Sequence, residues 1–448
     1  MKHHVINSQL ICAQYDKDYP MLVSGKGIYL YDKDGNEYID ASGCTAAVTA
    51  IGHGVEEVAD ALAVQAKKLA VHPTHVFYNE TLEAYLAHLC DFAPEGFNKA
   101  WTISGGTEAV ENSVKLAYQY HKAKKRTGRT KIIGRWGSYH GNSLTALDIG
   151  GLKTRRNYYT DLMVDHLHVS PCFSYRKPEA LSPDAYEDTL IEEFSQLVEQ
   201  HPDQIICFVA EPIVGAALGA APPTPRYFER IAEICRAHDI LMIADEVMTG
   251  FGRTGTAFGC EQYGTHADIL ACAKGISGGY LPLGAVIAHD RVLDPIRESG
   301  EPFYSGQTYS CIPLAAAVGE AVLHYIEEHT LVERTEIVGA HLKRRFEELL
   351  SLPFVGDVRG EGLFLGIEFV EDKDSKRPFD PSLMFAKRVE TTALKHGLVT
   401  YSCRGTVEGT KGDHMLFSPP LTMNIEQADT LHKRFHAALV ETYEQVQK

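Results

Sequence analysis

Short apolar runs alternate with longer amphipathic ones through the middle of the chain. QIICFVA (Gln204 to Ala210), ILMIA (Ile240 to Ala244) and DILACA (Asp268 to Ala273) are strand-length and almost wholly apolar. That is the pattern of strands covered on both faces in a parallel sheet. Between the first two lies PRYFERIAEICRAH, where Phe228, Ile231, Ile234 and Cys235 fall on one stripe of a helix. Strand, helix, strand at this spacing predicts a doubly wound α/β domain with a largely parallel sheet.

Beyond about residue 325 the texture changes. GAHLKRRFEELLS reads as part of a long helix and LFLGIEFV as a strand. A further helix should run to Gly397 as its C-cap. The last helix opens at Asn424, with Gln427 completing a capping box. These elements predict a smaller α+β domain. Near the N-terminus, GIYLYDKDGNEYID places alternating apolar residues on either side of Asp34-Gly35, the pattern of a β-hairpin. The expected division is an N-terminal segment, 1–55, packing with the small domain; a large domain, 56–325; and a C-terminal small domain, 326–448.

Composition narrows the function classes. The 448 residues are 44% hydrophobic and 23% charged, an ordinary globular balance, and the net charge of −16 argues against a general nucleic-acid binder. The one dense basic run, HKAKKRTGR (His121 to Arg129), reads as a solvated helix end and loop. No signal-peptide pattern and no run of about eighteen apolar residues is present, so neither a leader nor a membrane association is expected. Ten cysteines without CxxC pairs read as reduced, buried thiols and a cytoplasmic address. His72/His75 and His166/His168 lack partners at metal-ligand spacing, and no metal is expected.

Candidate chemistry lies at the carboxyl ends of the predicted strands, where open α/β sheets gather functional groups. Glu211 follows the first strand, Asp245-Glu246 the second and Lys274 the third. Lys274 is the lone charge in ACAKGISGGYLPLGA, with glycines at 275, 278, 279 and 284 expected to leave open space around it. Its plain reading is a snorkelling surface lysine, and that of Asp245-Glu246 a solvated loop start. The apolar flanks of the pair, however, require a partner for at least one carboxylate. In WTISGGTEAVENSVKLAY a strand should end at Ser104, turn through Gly105-Gly106-Thr107 and enter a helix with Val110, Val114 and Ala117 on one face. Thr107 suits both an N-cap and a hydroxyl donor. Free N–H groups at such a helix start form a phosphate site. A lysine to form a Schiff base, a carboxylate for a pyridine nitrogen and a phosphate cradle are together what pyridoxal 5'-phosphate requires.

SGGTEAVENSVKLA, YHG (Tyr139 to Gly141), AEPIVG, ADEVMTGFGRTG, AKGISGGYLPLGA and GQTYSCIPLAAA follow one another in this order. With them the chain resembles, over almost its whole length, the class III pyridoxal-phosphate aminotransferases, the ω-aminotransferase group of fold type I. The resemblance implies that Lys274 carries the cofactor and moves the proton, and that Asp245 pairs with the ring nitrogen. Val247 and Tyr139 would lie on opposite faces of the ring, with His140 beside it. Gly105, Gly106 and Thr107 would hold the phosphate, Thr308 would reach the phosphate of a neighbouring subunit in a homodimer or dimer of dimers, and Glu211 would support the ring's surroundings. The substrates implied are an ω-amino acid or amine donor and a keto acid, exchanged by a ping-pong mechanism.

Two positions depart from the pattern. The family often has serine where this chain has Gly105, and members with a Glu–Arg switch for 2-oxoglutarate carry glutamate where this chain has Ala216. The second departure favours pyruvate. Arg404, in YSCRGTVEGTKGDH, is read either as a solvated loop arginine or as a clamp for a substrate carboxylate. Other readings stay open: an aminomutase, racemase, epimerase or decarboxylating transaminase on the same scaffold; a nicotinamide enzyme, since GFGRTG fits G-x-G-x-x-G but precedes a poor helix; and a non-catalytic binding protein. SGCTAAVTAIGHG (Ser42 to Gly54) is either a roomy entrance or a tight turn.

Overall fold

Seven apolar runs assemble into one sheet in the computed structural model. It describes residues 18–447 together with His3, His4, Gln9 and Ile11. The strands are β1 (Lys99–Ile103), β2 (Lys131–Arg135), β3 (Leu167–Val169), β4 (Ile205–Ala210), β5 (Leu241–Asp245), β6 (Ile269–Cys272) and β7 (Gly284–Ala288), in spatial order β1-β7-β6-β5-β4-β2-β3. All run parallel except β7, which is antiparallel to both its neighbours. β4 to β7 are buried along their whole length. On one face Ile206, Val209, Leu241 and Ile243 meet Ala109, Val110 and Ala117 of the helix Gly106–Ala123. On the other, Ile205, Phe208 and Met242 meet Ile231, Ala232 and Cys235 of the helix Tyr227–Ala237. The α/β architecture and its mostly parallel sheet follow from those continuous apolar runs.

The C-terminal part builds an antiparallel sheet of Val355–Glu361, Phe364–Phe369, Lys411–Phe417 and Tyr401–Val407. The helices Leu331–Glu347, Phe385–Lys395 and Ile425–Gln447 contribute Leu342, Phe346, Val389, Leu431 and Phe435 to the core shared with it. The capping box forms: Gln427 N–H donates to Asn424 Oδ1 (2.8 Å), and Asn424 N–H to Gln427 Oε1 (3.0 Å). Tyr29–Asp32 and Glu37–Asp40 form the hairpin around Gly35, and Glu37–Asp40 pairs in parallel with Leu398–Val399 of the C-terminal part. The limit drawn at residue 325 falls inside the helix Pro313–Glu328, and the chain changes course at Thr330, with φ of +46°.

Two buried charges tie the parts together. Glu368, fully buried, accepts from Arg176 (Nε 3.0 Å, Nη2 2.6 Å) and Thr406 (2.9 Å) and pairs with Arg359 (2.9 Å). Burial alone would raise the Glu368 pKa, but Arg359 and Arg176 outweigh it and hold it below the ordinary value. Arg253 donates to Leu363 O (3.1 Å) and Pro419 O (2.5 Å). Residues 250–255 therefore form turns rather than the strand-to-helix corner of a dinucleotide site, and their arginine staples the small sheet to the large one.

Three expectations require correction. The run His121 to Arg129 is not wholly solvated. His121 and Arg129 are buried, His121 bonding Ile206 O (2.9 Å) and Arg129 bonding Ile205 O (2.6 Å) and His238 O (2.8 Å), because the loop turns back across the start of β4. The cysteines divide: Cys172, Cys207, Cys235, Cys260 and Cys272 are buried thiols, whereas Cys44 is exposed and Cys12 lies outside the described residues. Gly275, Gly278, Gly279 and Gly284 do not leave open space. A Cβ on them would stand 3.2 Å from Phe251, 2.9 Å from Ile51, 3.2 Å from Val48 and 2.8 Å from Gly105 O. The glycines let other segments press against the Lys274 turn. Among the described residues no helix is long and apolar enough to cross a membrane.

Glu368→Ala leaves Arg359 and Arg176 without their buried carboxylate, and we expect it to lower the unfolding free energy by about 3–5 kcal/mol in denaturant titration. Because the native pKa of Glu368 is depressed, its contribution is present above the ordinary carboxylate pKa and is lost as pH falls through the native value.

Candidate active site

Six parallel strands point their carboxyl ends at one edge of the sheet, and the predicted side chains meet there. Gly106, Thr107, Tyr139, His140, Glu211, Asp245, Val247 and Lys274 line a single cavity of about 180 Å³, joined by Gly141, Ile213, Met248, Thr249 and Ala273. Lys274 opens a short 3-10 turn directly after β6. Its φ of +51° lies in the left-handed region, a strained setting for a residue with a Cβ. Desolvation lowers its pKa to about 8, against the opposing pull of Asp245 and Glu211.

Asp245, the last residue of β5, is buried and accepts from His140 Nδ1 (2.7 Å) and from Val247 N–H (3.1 Å). His140 is buried too, and its Nε2 has no partner among the described residues. Glu211, at the end of β4, accepts from Tyr139 N–H (3.2 Å) and Gly215 N–H (3.1 Å), while burial raises its pKa. It therefore fixes the loop that carries Tyr139 and His140. Glu246 points away from the cavity, accepting from Thr249 Oγ1 (2.5 Å), Gly259 N–H (2.9 Å) and Cys260 N–H (2.7 Å). Both carboxylates of the Asp-Glu pair thus have partners.

The helix Gly106–Ala123 begins at the cavity wall. Its N-cap is Gly105, not Thr107. Gly105 is extended, its carbonyl lies so near Gly284 of β7 that a Cβ there would stand 2.8 Å away, and Glu108 reaches back to Ser104 N–H (2.9 Å). Thr107 consequently sits in the first turn, where its Oγ1 accepts from Asn142 N–H (3.2 Å). A Cβ on Gly106 would lie 2.9 Å from Val247, so glycine there brings the helix end against Val247 and Ala273. A Cβ on Gly105 would meet nothing within 4 Å. The first N–H groups of this eighteen-residue helix have no intrahelical acceptor.

Gly105 stands next to the cavity's lining residues without being one of them, and two other expected residues lie farther off. Thr308 is exposed in the loop that precedes the helix Pro313–Glu328. Leu314 N–H donates to Ala70 O (3.4 Å), bringing that loop beside one carrying Phe77 and Tyr78, and Phe77, Tyr78 and Tyr309 are 62%, 93% and 64% exposed. Arg404 lies on Tyr401–Val407, where its Nη2 donates to Pro381 O (3.0 Å) and pairs with Asp413 (3.5 Å). It lines a separate, neighbouring cavity. The segment Gly43–Ala47 is a tight turn, with Cys44, Ala46 and Ala47 at positive φ and Gly43, Ala46 and Ala47 buried. Sequence reasoning did not single out Ile213 or Met248 as lining residues. Both are ordinary apolar residues whose place depends on turns after β4 and β5, and their only signal was position just beyond a strand end.

A family profile described as aminotransferase class-III matches residues 12–439. An uncharacterized aminotransferase of Bacillus subtilis, YodT, is 36% identical, the alignment covering 95% of this chain and 96% of that protein. A putrescine–pyruvate aminotransferase of Pseudomonas aeruginosa is 31% identical (93% and 89% covered), and a diaminobutyrate–2-oxoglutarate transaminase of Halomonas elongata 32% identical (95% and 91%). Among solved structures, a thermostable (S)-enantioselective omega-transaminase from Thermomicrobium roseum superposes with a TM-score of 0.91 at 32% identity, covering 98% of this chain and 97% of that one.

The lowered pKa makes Lys274 chemically distinguishable from surface lysines. In cofactor-free protein, its acylation by an amine-directed reagent, followed by peptide mass spectrometry, should be half-maximal near pH 8. Solvated lysines should reach half-maximum near their ordinary value of about 10.4.

Proposed function

This chain belongs to the class-III aminotransferases, and from that premise we propose that it moves an amino group from an ω-amino acid or amine donor to a keto acid, pyruvate ahead of 2-oxoglutarate, using pyridoxal 5'-phosphate. The observation that carries the reading is the convergence of Lys274, Asp245 and the start of the helix Gly106–Ala123 on one cavity.

The residues present suit the group. His140 offers a buried, unpartnered Nε2, and the glycine at 106 clears room that a Cβ would fill. The donor set, unpaired N–H groups at a helix start, complements a phosphate. On this reading Gly105, Gly106 and Thr107 hold the phosphate, Gly105 offering a backbone contact only. Val247 and Tyr139 flank the ring, and Glu211 supports its surroundings through Tyr139. Thr308 serves the phosphate of a second copy, whose arrival would also cover exposed Phe77, Tyr78 and Tyr309.

When bound, pyridoxal phosphate supplies an aldehyde that joins to amines and a ring that takes up electron density from the substrate carbon. The chain's own residues do the rest. Lys274, with its pKa near 8, exists as a mixture of amine and ammonium at neutral to mildly alkaline pH. It can therefore take a proton from the substrate carbon and return it without a large mismatch in either direction. Asp245, fixed by His140 and Val247 N–H, holds its carboxylate ready for a protonated ring nitrogen. Ile213, Met248 and Val247 keep water from the wall. Two substrates visiting one cavity in turn give ping-pong kinetics.

The absence of a carboxylate at Ala216 supports pyruvate, and the name of one relative carries pyruvate where that of another carries 2-oxoglutarate. Lys274→Ala should lower transamination by at least about 10³-fold while the circular dichroism spectrum is kept. A variant turning over at the wild-type rate would remove the assignment. Asp245→Asn should bind the cofactor more readily than it turns over. In a donor panel, kcat/KM with pyruvate should exceed that with 2-oxoglutarate, and the reverse order would overturn the acceptor preference. Turnover of an amino acid with no keto acid added would favour the mutase or racemase reading.

A further inference from the structure

We propose that His88, His324 and Glu327 form a binding site for a divalent transition-metal ion such as zinc, and that the bound ion clamps two helices together. None of these residues lines the cavity of Lys274. The site stands whichever reaction that cavity performs.

The two helices are Glu80–Phe92 and Pro313–Glu328. A glycine lets them meet closely. A Cβ on Gly319 would lie 2.4 Å from the ring of Tyr85, so a residue without one allows the fully buried tyrosine to seat against the second helix. His88 lies three residues beyond Tyr85, on the same side of its helix. Glu320, His324 and Glu327 follow Gly319 at intervals of four and three, which places them on one stripe. The close approach at Gly319 therefore brings His88 to that stripe.

One ring nitrogen each from His88 and His324 and one carboxylate oxygen of Glu327 lie within 4.8 Å of one another. His88 Nε2 and Glu327 Oε2 are 2.9 Å apart. With bonds of about 2.0–2.1 Å, neighbouring ligand atoms around a tetrahedral zinc ion stand about 3.3 Å apart. The His88–Glu327 pair is already near that separation. The His324 side chain is 65% exposed and has room to close the rest.

Glu320 has a different part. Its Oε2 accepts from His88 Nδ1 (3.1 Å), and its Oε1 lies 3.0 Å from His324 Nε2. An ionised carboxylate only accepts, so the Nδ1 proton of His88 is directed to Glu320 and Nε2 is left for the ion. A carboxylate behind the ring is the usual support of a metal-bound histidine. The ion would replace the proton that Nε2 now shares with Glu327.

The charges favour a cation. Among the described residues no lysine or arginine pairs with Glu320 or Glu327, whose partners are the two imidazoles. Two imidazoles in the ligand set suit zinc, nickel or copper better than magnesium or calcium, which take oxygen ligands. His88 lies 232 residues from Glu320, so no local spacing motif marks the group.

The test titrates zinc chloride into the full-length protein by calorimetry, beside His324→Ala, a change at an exposed position, and Glu320→Gln. The wild type should bind one zinc ion per chain more than His324→Ala does, with a Kd at or below about 10 μM. The comparison subtracts zinc held elsewhere, for instance at the exposed Cys44. Glu320→Gln should weaken this binding by about tenfold to a hundredfold. Zinc at about a hundredfold excess over Kd should raise the unfolding temperature of the wild type by about 3 °C more than that of His324→Ala. Magnesium chloride should produce neither effect. Equal zinc uptake by wild type and His324→Ala, or magnesium bound as tightly as zinc, would overturn the proposal and leave the cluster a hydrogen-bond network between two helices.

Discussion

Taking the Lys274 amine out of water is the constraint around which this structure is arranged. An ammonium is poorly tolerated in a low-dielectric setting, and desolvation lowers its pKa to about 8 although Asp245 and Glu211 pull the other way. The surroundings that enforce this are neighbouring chain segments brought close by glycines. Gly275, Gly278, Gly279 and Gly284 let Phe251, Ile51, Val48 and Gly105 close on the turn, and the residue itself is held at positive φ. No single contact would keep a flexible lysine there; the packing of several chain segments does.

A second layer of residues fixes what surrounds that amine. Glu211, which lines the same cavity, ties the loop of Tyr139 and His140 to the end of β4. His140 and Val247 N–H orient the Asp245 carboxylate from two sides. Glu246, adjacent in sequence, spends its charge on three hydrogen bonds within the next turn. Neighbouring carboxylates of similar burial thus have different tasks, one facing the cavity and one closing the loop that follows. Glu368 and Arg253 act at longer range, tying the small antiparallel sheet to the large one and thereby placing the hairpin that carries Tyr401 and Arg404 beside the cavity.

The sequence was most informative where one element type repeats without interruption. QIICFVA, ILMIA and DILACA read as strands buried on both faces, and parallel strands end on a common edge, so Glu211, Asp245 and Lys274 could be grouped from residue order alone. It was least informative where two segments distant in the chain touch. Thr107 is a good N-cap by type, but the helix starts one residue earlier, at Gly106, where Gly105 lies close to Gly284 of a distant strand and Glu108 accepts from Ser104 N–H. The glycines around Lys274 suggested open space, whereas they are points of close approach. Arg129 read as solvated because nothing local marks the carbonyls of Ile205 and His238 as its partners.

By itself, then, the amino-acid order determined the main element types, the parallel sheet and the edge to which Lys274 and Asp245 are brought, since each of these depends on periodicity or on residues close in the chain. Only the tertiary structure decided which cations find a carboxylate. Arg404 has no local mark of a partner in the sequence, but Asp413 lies across a hairpin from it, 3.5 Å away. Charge pairing is a property of distances between side chains, and those distances are fixed only when the sheets and loops pack.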